Sequence, residues 1–219
     1  MTRVIILAMQ RLAGTNEVDR IGGDRRSAQR AATRARLFEE TVAEFRQRGF
    51  AETEIAVVAE RAGVSRGAFY VYFADKDAVL RELLIIEERH IAEVARTATG
   101  PDAGLPEVFG AVVDAVLAAE RRLGRRLVRD LCAAQFRPEF AQLLAIDDHP
   151  LGLMLVEGIA ERSPEADPVD LTMTFLTGLF GLLATDVGSA ADRRRRLDLL
   201  IQLTAGSRAQ DRATFRRKP

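Results

Sequence analysis

The chain has 219 residues, room for one medium domain or two small ones that share a core. Apolar residues make up 47% and charged residues 29%, with a formal net charge of zero, so any nucleic-acid affinity must come from a local patch. The single cysteine, Cys132, excludes an internal disulfide, disfavours a zinc cluster and fits a reducing cytoplasm.

Residues 1–27 read as a leader, with Gly14, Gly22 and Gly23, mixed charge and no sustained period. The apolar run Val4 to Met9 is too short for a secretory signal and is ended by Arg11. No run reaches the ~18 apolar residues of a membrane span, so no membrane association and a cytoplasmic location are expected. A basic stretch supplies the local patch: Arg20, Arg25, Arg26, Arg30, Arg34 and Arg36 stand against Asp24 alone.

From Arg30 the period becomes helical, and Leu37, Phe38, Thr41, Val42 and Phe45 form one stripe that Gly49 terminates. A second, short helix turns Ile55, Val58, Ala59 and Ala62 inward and closes at Gly63. Ser65 can cap a third, to about Phe73, and Asp75 a fourth, to about Thr97. After Gly100, Pro101 and Gly104 the pattern predicts helices at about 105–122, 124–135, 138–146, 150–162, 168–187 and 193–206. The fold class is therefore all-α: a three-helix module over residues 28–75, then a larger bundle over 76–219, about nine or ten helices in total.

The stretch from 54 to 73 carries the chemistry. Gly63 permits the left-handed backbone of a tight turn between two short helices, Val64 can plug their crease, and Ala59 lets them approach. At about 100° per residue Phe69 and Phe73 share the inward face of the third helix. Gly67, Tyr70 and Val71, flanked by Ala68, then face outward. That face is low in profile, so its backbone can descend into a major groove ~12 Å wide, with Ala and Val methyls against thymine. Tyr70 and Tyr72 offer hydroxyls to phosphates, and Arg66 reaches a base edge or a phosphate. Lys76, at the start of the fourth helix, makes a phosphate clamp, while Thr33 and Arg34 flank the other side.

Residues 33–80 resemble the DNA-binding domain of the TetR family of bacterial regulators. The matching pieces are Phe45, Gly49, Phe50 and Thr53, then Val58-Ala59, Ala62-Gly63-Val64-Ser65-Arg66-Gly67, Phe69-Tyr70, Tyr72-Phe73, Lys76 and Leu80. The resemblance implies that Arg66, Ala68, Tyr70, Val71, Tyr72 and Lys76 face operator DNA, beside Ser65 and Gly67. Three positions depart from the family pattern. Glu54 stands where a second threonine is usual, and its carboxylate can cap the helix but repels phosphate. Ala68 replaces a threonine and loses a hydroxyl contact. Val57 replaces an acidic residue.

For the rear domain the resemblance implies a homodimer built by the last two long helices, and an effector site among helices four to eight. Leu176, Leu179, Leu183, Leu197 and Leu200 are the expected interface residues, on helices apolar nearly all round. Phe109, Arg129, Phe136, Phe140, His149, Met154, Met173 and Phe180 are the candidate lining of a ligand pocket, with Leu143, Leu144, Leu151, Asp130 and Asp148 beside them. Arg193 to Arg196 reads as a solvated helix start, His90 as a surface residue, and Cys132 as a small buried hydrophobe. No cofactor and no metal site are expected. The chain lacks a nucleophile elbow, metal-ligand spacing and a phosphate-binding glycine loop, which argues against an enzyme. A helical ligand-binding adaptor is the other competitor. The expected partners are operator DNA, a second copy of the chain and a small-molecule effector.

Overall fold

The computed structural model describes residues 23–141, 149–185 and 188–206, and every regular element among them is a helix. Three short-range helices form the front: α1 (Gly23–Arg48), α2 (Ile55–Arg61) and α3 (Arg66–Tyr72). Behind them lie α4 (Lys76–Ala98), α5 (Leu105–Leu123), α6 (Arg125–Ala134), α7 (Pro138–Ala141), α8 (Pro150–Arg162), α9 (Pro168–Thr185) and α10 (Ala190–Gly206). One apolar core runs through both parts, from Leu37, Phe45 and Phe69 in front to Phe109, Phe175 and Leu197 behind.

Local sequence explains the helix ends. Ser65 accepts a hydrogen bond from the Ala68 amide at 3.2 Å and Asp75 accepts one from Ala78 at 2.7 Å, so α3 and α4 begin at side-chain caps. Gly63 has φ 70, and the Val64 amide donates to Ala59 O at 2.9 Å, which closes the turn between α2 and α3. Gly124, at φ 93, ends α5 and starts α6 with no intervening loop. Ser189 and Asp192 cap α10 reciprocally: the Ser189 amide and hydroxyl donate to the Asp192 carboxylate, and the Asp192 amide donates to the Ser189 hydroxyl.

The structure corrects two expectations, the extent of the leader and the solvated arginine run, and describes another only in part. Helix α1 begins at Gly23, so residues 23–27 are helical and not leader; residues 1–22 lie outside those described. The helix expected over 138–146 is described only as Pro138–Ala141, and Leu143, Leu144 and Asp148 lie outside. The arginine run on α10 is not simply solvated. Arg193 meets Glu120 of α5 at 2.8–3.1 Å with both side chains largely buried, and Arg194 joins Asp114 at 2.7 Å. Finally, α9 is long and apolar enough to cross a membrane by length and composition, with a mean hydropathy of 1.3. Its threonines, its glycines and Asp170 interrupt it, so it is not an unbroken apolar run. One face of it is core, through Thr172, Phe175, Leu179 and Leu183, and the opposite face exposes Val169 and Met173.

Candidate DNA-binding surface and rear cavity

Helix α3 rests on the core through Phe69, whose ring lies 5.6 Å from that of Phe73. This anchoring turns the opposite face outward: Tyr70 is 47% and Val71 68% exposed, beside exposed Ser65, Arg66 and Gly67 and half-buried Ala68. An added Cβ on Gly67 would meet nothing nearer than Ser65 Oγ at 3.9 Å. Nothing inside the protein therefore requires glycine there. The Tyr70 ring stands edge-on to Phe69 at 5.5 Å, which fixes its direction.

Next to this face is an open groove of about 400 Å³, where Arg66, Tyr70 and Lys76 meet the start of α2 at Thr53, Glu54 and Ile55. Glu54 occupies the N-cap position of α2 without making a side-chain cap, and it is exposed. Thr53 is buried, and its hydroxyl donates to Gly49 O at 2.8 Å. The α2 start thus presents uncapped amides with a carboxylate beside them.

Other sequence-predicted contacts are spent inside the protein. Arg34 forms a two-pronged pair with Glu82 of α4, one arm at 2.9 Å, and its guanidinium covers the Phe73 ring at 4.6 Å. Thr33 donates to Gln29 O at 2.9 Å along α1. Neither lines the groove: Arg34 braces the α1–α4 junction, and Thr33 is bonded within α1. Tyr72 is half-buried and packs on the core. Lys76 does line the groove, yet its ammonium donates to Phe50 O at 2.8 Å and Ala51 O at 3.0 Å and lies over the Phe50 ring. Two of its three donors hold the α1–α2 loop, so Lys76 is first a positioning residue.

The front and rear parts are fastened at α6. The Phe50 amide donates to Asp130 at 2.8 Å, Arg126 donates to Gln47 O at 3.2 Å, and Arg137 joins Asp77 at 2.6 Å. Arg46 reaches back to Leu123 O at 3.0 Å. Gly49, at φ 91, lies against this seam, where an added Cβ would meet the Arg126 side chain at 3.1 Å. Asp130 is thereby accounted for as a junction residue.

The other side of α6 lines a cavity of about 40 Å³ within the bundle. Leu84, Glu88 and Ile91 of α4 form one wall, Leu131 and Cys132 of α6 with Gln135 at its C-cap another, with Leu151 and Phe180 closing it. Burial, and secondarily the charge of Glu120, pushes the Cys132 thiol up to about 12. Glu88 is 3% exposed and faces His149 Nδ1 at 3.1 Å.

Of the eight predicted pocket residues, Phe180 lines this cavity and His149 reaches it through Glu88. The others do not. Phe109 stacks on Phe175 at 4.2 Å in the core, and Phe140 and Met154 are buried outside the lining. Arg129 is exposed, as are Phe136 and Met173, at 50% and 53%. The expected interface leucines divide likewise. Leu179, Leu183 and Leu197 are 0–3% exposed within the protomer and have no surface to offer a partner, whereas Leu176 and Leu200 are half-buried.

Two short helices meeting at a glycine turn, the second braced on the core with a low, exposed outer face, define a helix-turn-helix of the kind that enters a major groove. Residues 37–83 match the family model described as bacterial regulatory proteins, tetR family. The chain is 31% identical over 95 residues to the regulator AcrR of Shigella flexneri, covering 41% of this chain and 44% of AcrR. It is 38% identical over 63 residues to the regulator BetI of Yersinia pestis, covering 29% of this chain and 32% of BetI. The chain thus matches less than half the length of these curated relatives. Among solved structures, FadR of Thermus thermophilus, a repressor in complex with lauroyl-CoA, superposes with a TM-score of 0.64 at 22% identity, covering 78% of this chain and 92% of FadR. The multidrug binding protein EbrR, complexed with imidazole, gives 0.57 at 20%, covering 78% and 93%. These structures share the fold.

Proposed function

We propose that the protein is a cytoplasmic repressor that binds a palindromic operator as a homodimer and is released by a small, mostly apolar ligand in the rear cavity. The observation that carries the DNA-binding part is the exposed Arg66, Gly67, Tyr70 and Val71 face beside the groove that contains Lys76. Arg66 and Val71 are assigned to bases, Tyr70 and the α2 start to phosphates. No residue is given a catalytic role. Among the described residues no three His, Cys, Asp or Glu side chains gather as a metal site.

The exposed apolar faces of the last two helices support dimerisation. Val169 and Met173 on α9, and Leu199 and Leu203 on α10, are 42–62% exposed, beside half-buried Leu176 and Leu200. Gly178 lets these helices come close, since an added Cβ would lie 2.6 Å from Leu200 Cδ1. A second copy would cover a face that is costly to leave in water.

Helix α6 supports a route for release. One side of it forms the cavity wall and the other is bonded to Gln47 and Phe50, while Arg137, just past its end, joins Asp77 at the start of α4. A ligand that enlarges the cavity displaces α6, and with it the spacing of the two recognition helices. A ligand preferring that displaced state by ~1–3 kcal/mol would lower operator occupancy appreciably. The test is fluorescence anisotropy on the DNA flanking the protein's own reading frame. Salt-dependent binding that Tyr70→Phe weakens supports the reading, and no binding at low salt overturns it.

A further inference from the structure

We infer that the cavity between α4, α6 and α9 selects a small organic cation, an alkyl- or arylammonium whose charge is met by Glu88. This rests on the reading of the cavity as the effector site and names the chemistry that site would recognise. The cavity's acidic surroundings are unequally neutralised. Glu87 is paired with Arg122, and Glu120, behind Cys132, is paired with Arg193. Glu88 has instead His149 Nδ1 at 3.1 and 3.3 Å, a partner that is cationic only when protonated. A carboxylate 3% exposed in an apolar wall is costly to bury without a firm counter-charge.

A second group points to a polar ligand in the same cavity. Gln135, also in the lining, has a buried Nε2 with no acceptor. Leu84, Ile91, Leu131 and Phe180 supply the remaining wall. An ammonium with a short apolar body satisfies this set: its N–H groups donate to Glu88, its body covers the aliphatic wall, and an adjacent oxygen would accept from Gln135. A space of about 40 Å³ holds little more than one water, so any such ligand must push a wall outward. One of those walls is α6.

The full-length protein is titrated calorimetrically with benzylammonium and with benzyl alcohol, a neutral analogue of the same shape. Wild type should bind benzylammonium at least about tenfold tighter, the scale of one charge-assisted hydrogen bond. Glu88→Gln should remove that preference, with benzylammonium losing at least about tenfold. Benzyl alcohol binding as well as or better than benzylammonium overturns the charge assignment and leaves the effector site standing. Binding of neither overturns both. A preference that persists in Glu88→Gln places the charge recognition elsewhere and also overturns the inference. Should Glu88→Gln fail to fold, the contrast between the two probes on wild type decides the matter alone.

Discussion

At the scale of single residues, the recognition surface is defined as much by what is missing as by what is present. Gly67 contributes nothing to internal packing, so Gly67→Ala should leave stability unchanged or raise it by up to about 0.5–1 kcal/mol. It should nevertheless weaken operator binding, because the new methyl stands between helix and groove. Thermal melts with parallel DNA titrations separate the effects; weaker melting with unchanged DNA affinity would show that Gly67 serves the fold. Glu54 is the converse case, an uncapping carboxylate in the groove. Glu54→Thr should restore a cap and remove repulsion, tightening operator binding roughly two- to fivefold, about 0.5–1 kcal/mol. Cys132 is buried, and its thiol is pushed up to about 12, so it should react with thiol reagents only as fast as the protein opens. A raised value means the thiol stays protonated when folded. The associated stability is fully present below the unfolded value of 9.0 and is lost as pH rises from there through about 12.

Among the elements, the front helices were legible and the rear ones only partly so. The turn at Gly63, the caps Ser65 and Asp75 and the inward pair Phe69 and Phe73 are local signals, and local backbone geometry follows them. Which rear side chains meet is a tertiary question that helical period does not answer, and the assignment of Phe109, Phe136 and Met173 to one pocket failed for that reason. Glu88 was missed because it sits in a charged run, Glu87-Glu88-Arg89-His90, that reads as a solvated face. The signal was there: Leu84, Glu88, Ile91 and Ala95 follow the 3.6-residue period, and all four are buried. For Lys76 and Arg34 the sequence shows charge but not the internal partners that each side chain has.

Two elements carry further predictions. Arg193 of α10 and Glu120 of α5 have side chains only 15% and 10% exposed, so Arg193→Ala leaves a nearly buried carboxylate with Arg125 at 3.8 Å. The cost should be about 2–3 kcal/mol, somewhat below the ~3–5 of a pair with no substitute, measured by urea denaturation. The α10 cap has its own pH signature. Hydrogen bonds from Ser189, then Arg195, hold the Asp192 carboxyl below its ordinary 3.8. Its contribution is therefore complete above that value and fades only as pH falls through the lower, folded value.

For the whole molecule, the proposed homodimer would be built by covering the exposed stripe on α9 and α10, which brings two recognition helices together. Met173→Arg or Leu203→Arg places charge on a stripe exposed within one protomer, so each should give a folded monomer by light scattering, half the mass of a wild-type dimer. Burying the charge at Leu179 or Leu197 would instead damage the protomer itself, and circular dichroism distinguishes the two outcomes. The account's central claim, that this surface reads duplex DNA as a symmetric pair, is tested most directly by selecting random duplexes on the full-length protein and sequencing those retained. The account predicts an inverted repeat whose half-sites lie about 10–10.5 base pairs apart or a multiple of that, lost in Tyr70→Phe with Arg66→Ala. Retained DNA with no shared motif, or a motif without two-fold symmetry, would contradict it.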